Sequence, residues 1–240
     1  MGARTTSTAA GAAPDHTLGR TLFVHWGQTG GGPRVLEEMS REFARRHPGE
    51  AAVSYNSRAE NAATMAGLAL PSLRVTTFRS RLGVVLNLPK MVVNSWRVRR
   101  FVIRHDIRTV VCTMESIYQS LLVPMLVPRD RRYVFAVHDA TLHPGDEHVV
   151  KRLNRRAELR RADDIVTFSS AVADVIRTTA PATVRRVVAS VLPASDVRGH
   201  QVTERTLPTG RPVVVGFFGR LVKYKGLDLF VEAAAILAAR

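Results

Sequence analysis

Hydrophobic and polar positions alternate along this chain in a pattern that predicts repeated strand and helix units. Short runs rich in β-branched residues, typical of buried strands, are separated by segments with helical periodicity. The predicted strands cover 20–26, 51–56, 73–78, 107–114, 132–138, 164–170, 184–193 and 212–218. This alternation predicts an α/β protein whose strands form parallel sheets joined by right-handed crossovers.

A polar stretch at 194–211, which contains Gly and Pro but no periodicity, predicts a linker between two domains. Residues 19–193 are then one Rossmann-like domain, preceded by a small, polar and disordered leader at 1–18. Residues 212–240 contain a single βα unit, which cannot bury a sheet by itself. We therefore expect the opening of a second, incomplete Rossmann-like domain, and a chain that is a fragment of a longer protein.

The first predicted strand ends in a glycine-rich turn, Gly30-Gly31-Gly32, followed by Pro33 at the expected first position of a helix. Backbone amides and the helix dipole would converge there, and the absent side chains would let an anion approach closely. A merely tight turn is the alternative. The spacing fits neither the dinucleotide fingerprint nor the P-loop, because G-x-G-x-x-G and Gly-Lys-Ser/Thr are both missing.

Polar side chains follow two later strands at their carboxyl ends. His138 and Asp139 end the strand at 132–138, with His143 in the next loop, and we expect a polar site at this edge of the sheet. Zinc is disfavoured, since two histidines five apart lack a third ligand at a diagnostic spacing. Ser169 and Ser170 are predicted to cap the following helix.

A second pair of candidate residues follows the strand predicted at 212–218. Arg220 and Lys225, flanked by Gly219 and Gly226, would project from its carboxyl end. A guanidinium and an ammonium at this place suit a diphosphate, the first by its planar fork and the second by Coulomb attraction.

Composition narrows the partners of the chain. Thirty-five Lys and Arg against twenty Asp and Glu give a formal net charge of +15, which favours anionic partners such as nucleotides, nucleic acid or acidic lipids. Nucleic acid is disfavoured because no recognition module is present. The single cysteine, Cys112, is expected to be a buried packing residue, and its lack of a disulfide partner fits a protein of a reducing compartment. No apolar stretch approaches the roughly 20 residues of a spanning helix, so we expect a soluble or peripheral protein.

Residues 88–104 form the clearest amphipathic segment. The helical pattern places Phe101 among cations on one face, with apolar residues opposite. The cations are Lys90, Arg97, Arg100 and Arg104, and the apolar residues are Leu88, Met91, Val92, Val98 and Val102. A solvated basic face is one interpretation and contact with an anionic membrane surface the other. Residues 151–161 add a second basic stripe, interpreted as a solvated face.

Four phrases in order make the chain resemble the retaining GT-B glycosyltransferases of family 4 (glycosyltransferase group 1). They are GQTGGGPR in the first turn, VHD at 137–139, RADDIVTFSSAV at 161–172 and GRLVKYKGLDLFVEAAAIL at 219–237. The resemblance implies two Rossmann-like domains facing each other across a cleft. The amino-terminal domain would bind mainly the acceptor, and the carboxyl-terminal one the nucleotide sugar.

The same resemblance implies roles for individual residues. Arg220 and Lys225 would hold the donor diphosphate and assist catalysis by neutralising its charge, without a metal or cofactor. Gly30, Gly31 and Gly32 would lie at the same phosphates, and His138 would contact the transferred sugar. The implied protein is cytoplasmic, with a glycan or lipid-linked acceptor. The paired glutamates typical of the family would lie beyond Arg240.

Two alternatives stay open. The chain could be a non-catalytic fragment or pseudoenzyme that retains only acceptor or partner binding. An NAD-dependent oxidoreductase would require a ribose-binding carboxylate, which the strand at 51–56 does not offer. In the family that the chain resembles, donor sugar, acceptor and linkage are set by residues in variable loops or in the rest of the second domain, rather than by the fold.

Overall fold

A computed structural model of the protein describes residues 18–77, 88–117, 119–141, 149–192, 214–218 and 225–238. The strands are β1 (Thr21–His25), β2 (Ala51–Asn56), β3 (Ser72–Val75), β4 (Thr109–Cys112), β5 (Arg132–Val137), β6 (Asp164–Thr167) and β7 (Arg186–Ala189). The helices are α1 (Gly31–Arg46), α2 (Ala62–Gly67), α3 (Leu88–Arg104), α4 (Gln119–Leu126), α5 (Val149–Arg161), α6 (Ser170–Thr179) and α7 (Leu227–Ala238).

All seven strands are parallel and form one sheet in the order β3-β2-β1-β4-β5-β6-β7. The predicted Rossmann-like α/β sheet is thereby confirmed. Strand β1 has β2 on one side and β4 on the other, so the chain order reverses there. In open α/β sheets this switch point is where the carboxyl ends of the strands leave a crevice for ligands.

Helices cover the sheet on both faces, which explains why the strands are continuously apolar. On one face Val98, Val102 and Val123, from α3 and α4, pack with the larger hydrophobic cluster, as do Ala162 and Ile176. On the other face α1 and α2 bury Leu36 and Met65 in a second cluster. No helix within the described ranges is both long enough and apolar enough to cross a bilayer.

A buried polar cluster lies between the sheet and α5. The carboxyl group of Glu158 accepts hydrogen bonds from Tyr133 Oη at 2.8 Å and from Cys112 Sγ at 3.1 Å. Gln119 Nε2 donates to the same sulfur at 2.8 Å. Burial raises the pKa of Glu158 from 4.5 to about 8 and also raises the pKa of the Cys112 thiol. Cys112 is buried as expected, but within a polar network that its sequence context does not reveal.

Two local predictions have different outcomes. Ser169 caps α6, because its Oγ accepts a hydrogen bond from the Val172 amide at 3.2 Å, as predicted. The strand predicted at 212–218 is wrong for its described residues: 214–218 form no strand, and Val214 and Phe218 are 94% and 100% exposed. A strand needs a neighbour to pair with, and the pairs in the described residues all lie among β1–β7. Helix α7 forms where a helix was predicted, with none of its residues buried.

Candidate functional site

The carboxyl ends of β1, β4 and β5 lie together at the switch point of the sheet. Val24 pairs with Cys112, which pairs with Phe135. Continuing this register past the strand ends brings Gly27, Glu115 and His138 to the same level. Because adjacent strands are about 4.8 Å apart, the carboxyl ends of β1 and β5, which lead into the glycine-rich turn and into His138, are about 10 Å apart across the sheet.

The glycine-rich turn opens α1 without any capping side chain. Gly30 is the N-cap residue with φ of +89°, a left-handed conformation that favours glycine, and the helix begins at Gly31. Pro33 is therefore the third helical residue rather than the predicted first, a place where its missing N–H costs nothing. No acidic residue lies in the first turn. The positive end of the α1 dipole thus faces the switch point without a neutralising group.

His25, at the end of β1, is a site residue that the sequence analysis missed. Its side chain is buried, and Nδ1 lies 3.0 Å from the Met114 carbonyl oxygen. A carbonyl only accepts, so Nδ1 carries the proton. Burial lowers the pKa of this imidazole from 6.5 to about 4. At neutral pH the ring is uncharged, with a lone pair on Nε2.

That ring explains two of the glycines. A Cβ at Gly32 would lie 2.1 Å from His25 Nε2, and one at Gly27 would lie 2.3 Å from the same atom. Gly32 therefore makes room for the protein's own histidine, which corrects the expectation that its missing side chain serves an approaching anion. A Cβ at Gly30 would meet nothing within 4 Å, and one at Gly31 would make only an ordinary contact of 3.9 Å with Met114 Cε. The open part of the turn is limited to these two residues.

Buried amides hold the turn from beneath. The Trp26 amide donates to Gln119 Oε1 at 2.8 Å, and its carbonyl accepts from Asn56 Nδ2 at 2.9 Å. Asn56 also donates to Thr77 Oγ1 at 2.6 Å, linking the turn to the end of β3. All three partners are buried. Because buried hydrogen bonds are costly to break, the backbone leading into Gly30 is fixed before any ligand arrives.

The histidine after β5 lies in a very different environment. The His138 side chain is 48% exposed, with Nε2 4.0 Å from Asp139 Oδ1 and its ring 6.3 Å from that of Phe168. Its loop is held by Arg155 of α5, whose Nη1 donates to the Asp139 carbonyl at 2.9 Å and to the Ala140 carbonyl at 3.3 Å. Arg155 Nε also pairs with Glu115, the residue at the same level after β4.

Arg155 and Glu115 were also missed by the sequence analysis. Glu115 could have been found from its place just past a strand end, beside His138. Arg155 could not, because it is one of several cations on a basic helix and nothing in the sequence says which of them turns inward. The prediction that 151–161 is a solvated face is therefore wrong for Arg155, whose side chain is only 15% exposed.

The remaining candidates are only partly described. Arg220 and His143 lie outside the described residues. Lys225 is exposed and directly precedes Gly226, whose φ of +72° leads into α7. Its approach to the glycine-rich turn stays a prediction. Within the described part of the chain, no cluster of three or more His, Cys, Asp and Glu side chains is arranged to hold a metal.

The parallel strand order, the helices on both faces and the switch point define the chain as a Rossmann-like α/β domain. No family model and no curated protein matches it. Among solved structures, Anabaena HepE (Alr3699) in complex with UDP matches with a TM-score of 0.53 and 14% identity, over 72% of this chain and 44% of that chain. The HepE complex with UDP-glucose matches with a TM-score of 0.51 and 16% identity, over 72% of this chain and 43% of that chain.

UDP-GlcNAc 2-epimerase from Methanocaldococcus jannaschii also matches, with a TM-score of 0.49 and 12% identity, over 70% of this chain and 45% of its own. The chain spans less than half the length of these structures. At such low identity the likeness to HepE shows the fold alone. The chemistry has to be argued from the site.

Proposed function

We propose that this chain is part of a nucleotide-sugar-dependent glycosyltransferase, of the retaining GT-B kind that its sequence resembles. The observation that carries the proposal is the open, uncapped start of α1 at the switch point, next to the braced loop of His138. The fold is shared with HepE, whose structures contain UDP and UDP-glucose. A diphosphate needs a rigid, electropositive cradle, and the glycine-rich turn supplies one.

In this proposal the turn after β1 binds the donor phosphates. The amides of Gly31 and Gly32 point out of the first turn of α1, and the helix dipole favours negative charge there. The neutral His25 beneath adds no charge of its own, so the attraction comes from the backbone. Arg220 and Lys225 add two cations that stabilise the diphosphate as it departs.

At the other end of the donor, His138 forms a hydrogen bond with the transferred sugar. Arg155, together with Glu115, positions the loop that carries His138. In the reaction, the acceptor oxygen bonds to the anomeric carbon as the bond from that carbon to the β-phosphate oxygen breaks. The acceptor hydroxyl proton leaves with the diphosphate. We propose that no metal takes part, that a glycan or lipid-linked molecule is the acceptor, and that the reaction occurs in the cytoplasm.

The phosphate cradle is tested by recording backbone amide resonances of the 240-residue chain during titration with UDP, GDP and UMP. We expect the diphosphates to shift Gly31 and Gly32 while the monophosphate shifts them far less. Gly49 and Gly67 are matched controls, because they lie away from the start of α1 and should not move. Equal shifts at all four glycines, or none with either diphosphate, would contradict the proposal.

The cations are tested by calorimetry with UDP. Arg220→Ala and Lys225→Ala should each weaken UDP binding at least tenfold. Arg45→Ala is the control: it removes a cation from the other end of α1, about 20 Å away, and should change affinity less than twofold.

Turnover separates the alternatives. If the chain releases UDP from UDP-glucose and the His138→Ala variant does not, the enzyme proposal is supported. Tight UDP binding without turnover favours the non-catalytic alternative. Micromolar affinity for NADH would favour an oxidoreductase instead.

A further inference from the structure

The outward side of α3 carries large apolar residues that are about half exposed to solvent. Val92, Val93, Trp96 and Ile103 are between 49% and 59% exposed. They follow helical spacing, so they form one continuous stripe along the helix. The sequence pattern placed Val92 on the opposite, apolar face, which is wrong because it is half exposed. Phe101, which the pattern placed on this side, instead packs partly against the core and lies against His105 with ring centroids 4.2 Å apart. Trp96 is the aromatic residue of the exposed side.

Cations border this stripe. Arg97, Arg100 and Arg104 are exposed beside it, and Lys90 is exposed in the first turn of the helix. The guanidinium of Arg100 lies 5.2 Å from the Trp96 ring centroid, a cation–π contact. We call the apolar stripe and these four cations the α3 face. It borders a groove of about 810 Å³, lined by Leu73, Trp96, Arg97, Arg100, Ile103 and Arg104 among others.

No acidic side chain in the described ranges balances the charge of the α3 face. Residues 88–104 contain no Asp or Glu, and the four cations form no ion pair with any described residue. Helix α1 provides the contrast, since its exposed Arg41, Arg45 and Arg46 all pair with Glu37 or Glu42. The α3 face therefore needs both a source of negative charge and a place for apolar side chains.

We propose that the α3 face binds the surface of an anionic membrane. Phospholipid headgroups supply the negative charge, and the boundary with the acyl chains accepts Trp96 and its apolar neighbours. Arginine suits this geometry because its stem lies along apolar surface while its guanidinium reaches the headgroups. A second copy of the chain would bring like charges together, and a nucleic acid would leave the apolar stripe in water.

The orientation of α3 connects this surface with the candidate site. The helix joins β3 to the parallel strand β4, so its first turn lies at the carboxyl edge of the sheet and its last turn at the opposite edge. A protein lying on a membrane through this face would hold the switch point beside the bilayer. The binding itself does not depend on the proposed reaction and is tested separately.

The test is sedimentation of the 240-residue chain with vesicles of phosphatidylcholine alone or with a third phosphatidylglycerol. We expect binding to the anionic vesicles only, decreasing as salt is added. Reversal of Arg97, Arg100 and Arg104 to Glu should weaken it at least tenfold. Reversal of Arg152, Arg156 and Arg160, exposed on α5, is the matched control for net charge and should retain most of the binding.

Tryptophan fluorescence gives a second measurement. The chain has two tryptophans, and Trp26 is only 2% exposed, so a lipid-dependent blue shift and quenching by brominated lipids report Trp96. Trp96→Phe should abolish both signals while the variant still folds. Equal loss in the two charge-reversed variants, or equal binding to neutral vesicles, overturns the proposal. The proposal is also overturned if the chain forms a dimer that buries Trp96 in the absence of lipid, or if a short DNA duplex fully displaces the chain from the vesicles.

Discussion

Helices α3 and α5 are both rich in arginine and both cross the same face of the sheet, yet they use their charges in opposite ways. Helix α5 turns Arg155 inward to Glu115 and a loop, and Arg161 inward to Asp163 and the Tyr133 ring. Helix α3 leaves Arg97, Arg100 and Arg104 exposed and its apolar stripe uncovered, and among the described residues only Arg99 reaches a backbone acceptor, the Leu126 carbonyl at 3.2 Å. The difference lies in what each helix faces: carboxylates and carbonyls at strand ends for α5, and a carbonyl of α4 for α3.

The largest expected difference concerns the buried polar side of each helix. Glu158→Ala in α5 leaves the Tyr133 hydroxyl and the Cys112 thiol without an acceptor and opens a cavity, so it should lower the free energy of unfolding by about 3–5 kcal/mol. Ser95→Ala in α3 removes a bond to the helix's own Met91 carbonyl and should cost less than about 1 kcal/mol. Urea denaturation followed by circular dichroism measures both. Similar losses would remove the distinction.

Arg155→Ala should have the next largest effect. It removes a charge-assisted contact to Glu115 and two bonds to the loop of His138, at a cost of about 2 kcal/mol. Arg100→Ala in α3 loses only a surface contact and should change stability by less than about 0.5 kcal/mol. The amide resonances of Asp139 and Ala140 should shift in the first variant alone. If they do not move, Arg155 is no positioning residue.

Glu158 should also make stability fall as pH rises. Its carboxyl group stays protonated in the folded protein to about pH 8 but ionises near 4.5 when unfolded, so folding binds a proton between these values. His25, with its pKa lowered to about 4, acts below pH 6.5 and in the opposite direction. Between pH 6.5 and 8 the free energy of unfolding should drop by about 1–2 kcal/mol. Glu158→Gln should flatten this dependence of the free energy of unfolding on pH. An unchanged dependence would mean that a group other than Glu158 causes it.

The smallest effect is expected on the α3 face. Trp96→Ser removes a half-exposed ring and should leave the free energy of unfolding within about 0.5 kcal/mol of the wild-type value. The melting temperature in the absence of lipid checks this. A larger loss would mean that Trp96 supports the fold, as the buried residues of α5 do, and would weaken the contrast between the helices.

The sequence predicted those features of the fold that depend on a local pattern of residues. Seven of the eight predicted strands form, and Ser169 caps its helix, because periodicity and capping are read from neighbouring residues. Contacts between distant residues were missed. Nothing around Gly32 reveals that His25 fills the space beside it, and Arg155 is indistinguishable by sequence from Arg156. The candidate site residues were predicted from their places at strand ends, because the topology of a parallel sheet brings those ends to one edge.

The order of the sheet also has a consequence for how the chain assembles. Thr21 of β1 must pair with Ala51 and with Thr109, so one side of β1 waits for a distant partner while β2 and β3 can pair early. After β4, each new strand pairs with the one made just before it. The slow, entropically costly step is the single closure of β4 on β1. Growth from β4 to β7 can then follow synthesis from the ribosome, strand by strand.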